Sequence, residues 1–445
     1  MRGLRSFGVL LVVLAGLAAY LFFVDAKRPA GGDTPTRDKV FAVDADKIEE
    51  ISIKAESGDR TVVRKTGNGW QIVQPAPAQP DPAEISGLTT NLASLEIQSV
   101  VDENPADLKE YGLAAPRVEV SFKGGGQDRT LHIGSKTPPG TDLYARLADQ
   151  KKVFLISSYL DSTFNKRPFD LRDKTVLTVE RDKIDSVEVV TPGGTVKLAK
   201  STGEWRLAAP VQGRADFNAV EGLLGRLNGL QMKSVVAPEA SDLKPYGLDK
   251  PAATVRIGAG SSQATLAIGT SAGEGVVYAK DLSRPMVMTI EASLLDDLKK
   301  DPSELRQKDL FDARAFNATR LELTREGQTF TFEKTKVKNK EGQEEQKWRR
   351  ISPTAGDVDQ PKVDALISAI TSLRAASFAD LTAKTGLDKP EMSIAIKFDE
   401  GRQEERATIG RVGADAYAAR AGEPGAAKID ASALDNIIKA LAELK

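Results

Sequence analysis

Asp107-Leu108-Lys109-Glu110-Tyr111-Gly112-Leu113-Ala114-Ala115-Pro116 returns as Asp242-Leu243-Lys244-Pro245-Tyr246-Gly247-Leu248-Asp249-Lys250-Pro251. A degraded third version, Thr385-Gly386-Leu387, keeps its proline at Pro390. Working outward, the same register holds everywhere. The only three tryptophans, Trp70, Trp205 and Trp348, stand 135 and 143 residues apart. Ile133-Gly134 recurs as Ile268-Gly269 and Ile409-Gly410, each followed by a tyrosine, Tyr144, Tyr278 or Tyr417. Chance does not align every tryptophan and five of the seven tyrosines in one register. The body is an internal triplicate. Its copies fall near 40–174, 175–309 and 310–445, an ordinary domain size.

Each copy follows one plan. It opens on an alternating strand, with Ile51 and Ile53, Val187 and Val189, or Leu321 and Leu323 on one face. Two further strands lead into the tryptophan, through turns such as Gly67-Asn68-Gly69-Trp70 and Gly203-Glu204-Trp205. A helix comes next, with Asp81, Asp216 and Asp359 at its N-cap. Its apolar stripe reads Ile85, Leu88, Leu92, Leu95, then Val220, Leu223, Leu227, Leu230, then Val363, Leu366, Ile370, Leu373. After the Tyr-Gly-Leu turn, three or four short strands run to a closing helix near Leu160, Leu295 and Leu434. Strands in runs, without strict β-α-β alternation, predict an α+β fold of mainly antiparallel sheets with packed helices.

The N-terminus carries a second signal. Arg2 and Arg5 precede an unbroken apolar run from Phe7 to Val24. Eighteen residues rising 1.5 Å each span about 27 Å, close to a bilayer's hydrocarbon thickness. A cleaved signal peptide is the rival reading, and bulky Phe22, Phe23 and Val24 ahead of Ala26 argue against it. Residues 1–29 therefore read as a cytoplasmic tip and one transmembrane helix, and 30–39 as a tether. The basic residues flanking the run favour the N-terminus inside and the domains outside, in the periplasm.

Composition narrows the chemistry. Sixty-two basic residues against sixty-three acidic ones leave a net charge of −1, which argues against a nucleic-acid partner. The chain has no cysteine and one histidine, which excludes disulfides, thiolate metal sites and a cysteine nucleophile. It also makes Ser-His-Asp chemistry improbable. No catalytic residue, metal site or cofactor is expected.

The remaining candidates have bland readings. Asp107 and Asp242 read as local backbone caps rather than as an acidic site. The repeated tryptophan is a candidate platform for a sugar or lipid, with packing of a hairpin against the first helix the stronger reading. His132 lacks a partner in the other copies and reads as filler. Gly124-Gly125-Gly126, Gly193-Gly194 and Gly258-Ala259-Gly260 are hairpin turns, since no phosphate-loop lysine and helix follow. The charged stretch Lys334 to Arg350 reads as a longer solvated hairpin of the third copy. The repeat motif is then Trp70, Trp205, Trp348, Tyr111, Gly112, Tyr246, Gly247, Gly386, Pro116, Pro251 and Pro390.

The Asp-Leu-x-x-Tyr-Gly-Leu-x-x-Pro pattern, the Ile-Gly strand and the Tyr-Ala pairs at Tyr144 and Tyr278 resemble the bacterial domain of unknown function 4340. So do Leu171-Arg172-Asp173-Lys174 and Leu305-Arg306-Gln307-Lys308. The third copy departs from the pattern at Thr385 and ends before the Leu-Arg-x-Lys step. The resemblance covers nearly everything after the anchor. It implies a protein tethered to the inner membrane, accompanying an ABC-type export system through protein contacts. It brings no catalytic residues. The expected function is a non-enzymatic periplasmic accessory or binding protein, with a carboxylate-dependent hydrolase and a passive spacer as alternatives.

Overall fold

The computed structural model describes residues 37–67, 69–338 and 343–444. The expected anchor at Phe7–Val24 and most of the tether lie outside them. Among the described residues no helix is long and apolar enough to cross a membrane. The chain divides into two compact units, Met1–Lys174 and Thr175–Lys445.

The first unit holds an eight-stranded sheet. Its strands are β1 (Ile48–Lys54), β2 (Arg60–Thr66), β3 (Gly69–Gln74), β4 (Ser99–Asp102), β5 (Val118–Gly124), β6 (Gln127–Lys136), β7 (Asp142–Leu147) and β8 (Val153–Ser157). Their order is β3-β2-β1-β5-β6-β7-β8-β4, with antiparallel neighbours throughout. Ile51 and Ile53 of β1 and Val118, Val120 and Phe122 of β5 point to one buried face. Helix α1 (Pro82–Ala93) packs with α2 (Leu160–Phe164), and both bury apolar side chains in the same core. Asp81 caps α1 by accepting the Ala83 N–H at 2.8 Å, and Pro82 at N1 gives up no helical hydrogen bond.

The second unit repeats this plan twice. Its first sheet runs β12-β11-β10-β9-β14-β15-β16-β17-β13. Those strands are β9 (Ile184–Thr191), β10 (Gly194–Ser201), β11 (Glu204–Ala209), β12 (Gly213–Arg214), β13 (Ser234–Ala237), β14 (Ala253–Ala259), β15 (Ser262–Gly273), β16 (Val276–Asp281) and β17 (Val287–Glu291). Helices α3 (Phe217–Asn228) and α4 (Ala292–Leu298) belong to this copy.

The third copy places β18 (Ala318–Arg325), β19 (Gln328–Lys338), β20 (Glu344–Ser352), β21 (Gly356–Asp357), β22 (Ala375–Phe378), β23 (Met392–Phe398), β24 (Gln403–Val412), β25 (Asp415–Arg420) and β26 (Ala427–Ile429) in the equivalent order. Its helices, α5 (Gln360–Thr371) and α6 (Ala431–Ala442), pack on each other. The stretch from Lys334 extends β19 and β20, and β19 is the longest strand of this sheet.

One backbone device joins every copy to its helix, and a second does so in the first two. The lead-in of every copy bridges a residue three positions beyond the first helix, as Lys39 with Glu96, Thr175 with Gln231 and Asp309 with Arg374. The Leu-Arg-x-Lys step laces the closing segment to the helix cap. Asp81 N–H donates to the Leu171 carbonyl at 2.8 Å, and Asp216 N–H to that of Leu305 at 2.9 Å.

One expected stripe needs correction. In α3 the buried positions are Val220, Leu224 and Leu227, and Leu223 is only half-buried. Its counterparts Leu88 and Leu366 are buried to 1% and 0% exposure. The cause is a gap beside Leu223 in the second copy.

Candidate functional site

The repeated motif is a lock between a turn and a strand. Leu108–Tyr111 form a single 3-10 turn, capped when Asp107 accepts the Lys109 N–H at 2.8 Å. Asp242 does the same for Lys244 at 3.0 Å, so these aspartates serve the backbone. The turns end on Gly112 and Gly247 with φ of 65° and 64°, and Gly386 keeps the same left-handed backbone at 71° with no 3-10 turn before it. Each turn lies directly on the glycine of the Ile-Gly strand. A Cβ on Gly134 or Gly269 would collide with the Tyr111 or Tyr246 carbonyl oxygen. Pro116, Pro251 and Pro390 then lead the chain into β5, β14 and β23. Burial, with Asp102 alongside, pushes the Tyr111 hydroxyl above the usual tyrosine range.

The tryptophans share a partner that sequence reading missed. Lys65 lies opposite Trp70, Lys200 opposite Trp205 and Lys334 opposite Trp348 across the β2–β3, β10–β11 and β19–β20 pairs. The Lys200 and Lys334 ammonium groups sit 5.2 and 5.0 Å from the ring centroids. Burial holds Lys334 below the usual lysine range, against the pull of Asp364. Trp205 and Trp348 are buried to 5% and 2% exposure. Trp348 is also tied to α5, because its Nε1 donates to Asp364 at 3.0 Å and Gln360 brackets its backbone N–H and C=O. Core packing therefore describes all three tryptophans, to different depths. Trp70 also packs against the first copy's core but is only half-buried, and Lys65 turns away to the Asp46 carbonyl at 3.2 Å. Each tryptophan strand also ends in a cis peptide, before Pro75, Pro210 and Pro353.

The gap in the second copy is a cleft of about 550 Å³ between α3, α4, the Pro302–Leu305 turn and strands β9 and β10. Val189, Val196, Leu223, Leu298 and Leu305 line it. Gly222 contributes no side chain to its wall, and the space beside it is open. The charged rim is self-paired. Asp297 binds both Arg226 and Lys300, the latter at 2.6 Å, and Asp301 accepts the Ser303 N–H at 2.8 Å. Among the described residues no group of His, Asp and Glu is placed to hold a metal ion.

A family model described as Domain of unknown function (DUF4340) matches residues 70–206 and again 205–390. The chain belongs to this family. Both DUF4340 matches begin at a repeated tryptophan rather than at the first strand of a sheet. A search of curated proteins returns no match. A crystal structure of the DNA polymerase sliding clamp from Pseudomonas aeruginosa aligns over 88% of this chain and 93% of that one, at 9% identity and a TM-score of 0.17. A likeness that low carries no argument.

One more feature of this DUF4340 chain escaped the sequence reading. Arg214, at the end of the second copy's β12, reaches into the third copy. Its Nε meets Glu423 at 2.6 Å, one Nη meets Asp312 at 2.6 Å, and the other donates to the Asp309 carbonyl at 2.7 Å. Beside it, the buried Glu405 accepts the Asp312 and Ala313 N–H groups at 2.9 and 3.1 Å and pairs with Arg420 at 2.8 Å. The Arg306 guanidinium lies 3.7 Å from the Phe378 ring centroid. No repeat motif marks these residues, because a contact between copies need not recur within each one.

Proposed function

We propose that this DUF4340 chain is a membrane-anchored periplasmic accessory protein that acts by binding, in association with an ABC-type export system. The observation that carries the binding reading is the second copy's cleft. Aliphatic walls and a charge-paired rim suit the holding of an apolar group, such as a ligand's hydrocarbon portion or a partner's aliphatic side chains. The apolar Phe7–Val24 run supports the tether, and tethering raises the effective concentration of weak surfaces to the millimolar range. The resemblance in sequence context supports the export association.

Co-purification of the full chain from native membranes tests both parts. The expected result is recovery in the membrane fraction with transporter subunits, and loss of those subunits in a Leu223→Glu variant that remains folded. A mature N-terminus at Lys27, or retention of every partner by Leu223→Glu, contradicts it. Turnover of a substrate by the purified chain alone would move the hydrolase alternative ahead.

A further inference from the structure

We propose that the first copy carries a carbohydrate-binding subsite built on the uncovered face of Trp70. The internal repeat supplies the comparison. In the second and third copies the cross-strand lysine covers the indole and the ring is buried. In the first copy Lys65 is drawn off to the Asp46 carbonyl, and Trp70 is left half-buried at the wall of an open cleft of about 610 Å³. Pro80, Pro82 and Ile85 extend the apolar floor, and Gln79, Ser86 and Thr90 supply neutral hydrogen-bonding groups around it.

The charges in the cleft select the ligand class. The Lys65 ammonium lines the same space and repels a cationic ligand, although a bare indole face alone would attract one. The carboxylates of Asp46, paired with Lys47 at 3.5 Å, and of Asp173 line it too and repel an anion. A neutral molecule with an apolar face and a rim of hydroxyl groups satisfies both walls, and a pyranose ring has that form. Its C–H face buries against the indole, and its hydroxyls meet amide, hydroxyl and charged partners at the edge. This subsite is separate from the second copy's cleft and does not depend on the export reading.

The test is calorimetric titration of the full chain in detergent with three uncharged trisaccharides: maltotriose, cellotriose and tri-N-acetylchitotriose. At least one should bind, and the Trp70 indole N–H resonance, assigned with Trp70→Phe, should shift while those of Trp205 and Trp348 stay put. Trp70→Ala should weaken binding at least tenfold in a chain that remains folded. Gln79→Ala, which leaves the indole in place, should weaken it severalfold. Binding of none of the three sugars overturns the proposal, as does an unchanged affinity in both variants. Tighter binding of choline than of any sugar also overturns it, since that would mark a cation site.

Discussion

The rings of Tyr111 and Tyr144 lie 5.1 Å apart at 60°, and Tyr246 and Tyr278 repeat the contact at 5.1 Å. One tyrosine comes from the 3-10 turn and the other from the strand beyond the Ile-Gly step, so the pair closes the lock over its glycines. A double-mutant cycle to leucine at Tyr111 and Tyr144 should give a coupling of about 1 kcal/mol, the usual worth of an aromatic pair beyond its buried area. The third copy holds Thr385 where the turn tyrosine stands elsewhere. Thr385→Tyr should therefore raise that copy's thermal midpoint through a new contact with Tyr417, and a lowered midpoint would refute the equivalence.

Gly134 and Gly222 should respond oppositely to alanine. At Gly134 the added methyl meets the Tyr111 carbonyl, and the overpacking should destabilise by roughly 1–3 kcal/mol. At Gly222 the methyl enters open space inside a helix, and the better propensity of alanine should stabilise by about 0.5–1 kcal/mol. Denaturant unfolding of the two variants checks the pair.

Trp205→Ala should cost roughly 3–5 kcal/mol, the range for emptying a large buried aromatic site. Asp364→Ala should cost less, about 1–3 kcal/mol, by leaving the buried Trp348 N–H without its acceptor. Both losses should appear in the unfolding transition of the copy concerned, which hydrogen exchange can localise.

Arg214→Ala should uncouple the second and third copies. The side chain is 12% exposed and leaves Glu423, itself 16% exposed, without its closest cation. Removing one partner of such a pair should cost roughly 3 kcal/mol. Limited proteolysis should then cut near residue 309, and an unchanged digestion pattern would contradict the assignment.

His132 sets a pH dependence that can be read without ambiguity, because it is the only histidine. Burial first, and Arg146 second, hold its pKa below the ordinary histidine value of about 6.5. Its buried Nδ1 has no hydrogen-bond partner among the described residues. Well above 6.5 the ring is neutral both folded and unfolded, and nothing is lost. Between the unfolded value and the lower folded one, only the unfolded chain takes up a proton, so stability should fall as pH falls. The single imidazole C2–H resonance should give the folded pKa directly, and His132→Gln should remove the slope.

Repetition made the strands, the helix caps and the Tyr-Gly-Leu turns readable, because each is set by local chemistry recurring in fixed register. Asp81, Asp216 and Asp359 cap helices wherever they are found, since a cap needs only the next turn of its own chain. The Ile-Gly and Tyr-Gly glycines were legible as a pattern, and their mutual contact was not.

By itself the sequence determined the triplication, the α+β antiparallel class and the family, since alternation and helical periodicity record which face of each element is buried. Only the tertiary structure decided that Leu223 borders a cleft while Leu88 and Leu366 are covered, that Lys65 leaves its tryptophan, and that Arg214 joins two copies. These are long-range outcomes. They depend on how near α4 comes to α3, on which acceptor a flexible lysine reaches, and on which carboxylates a neighbouring copy presents. Similar residues in similar local patterns reach different ends because their spatial neighbours, not their sequence neighbours, differ.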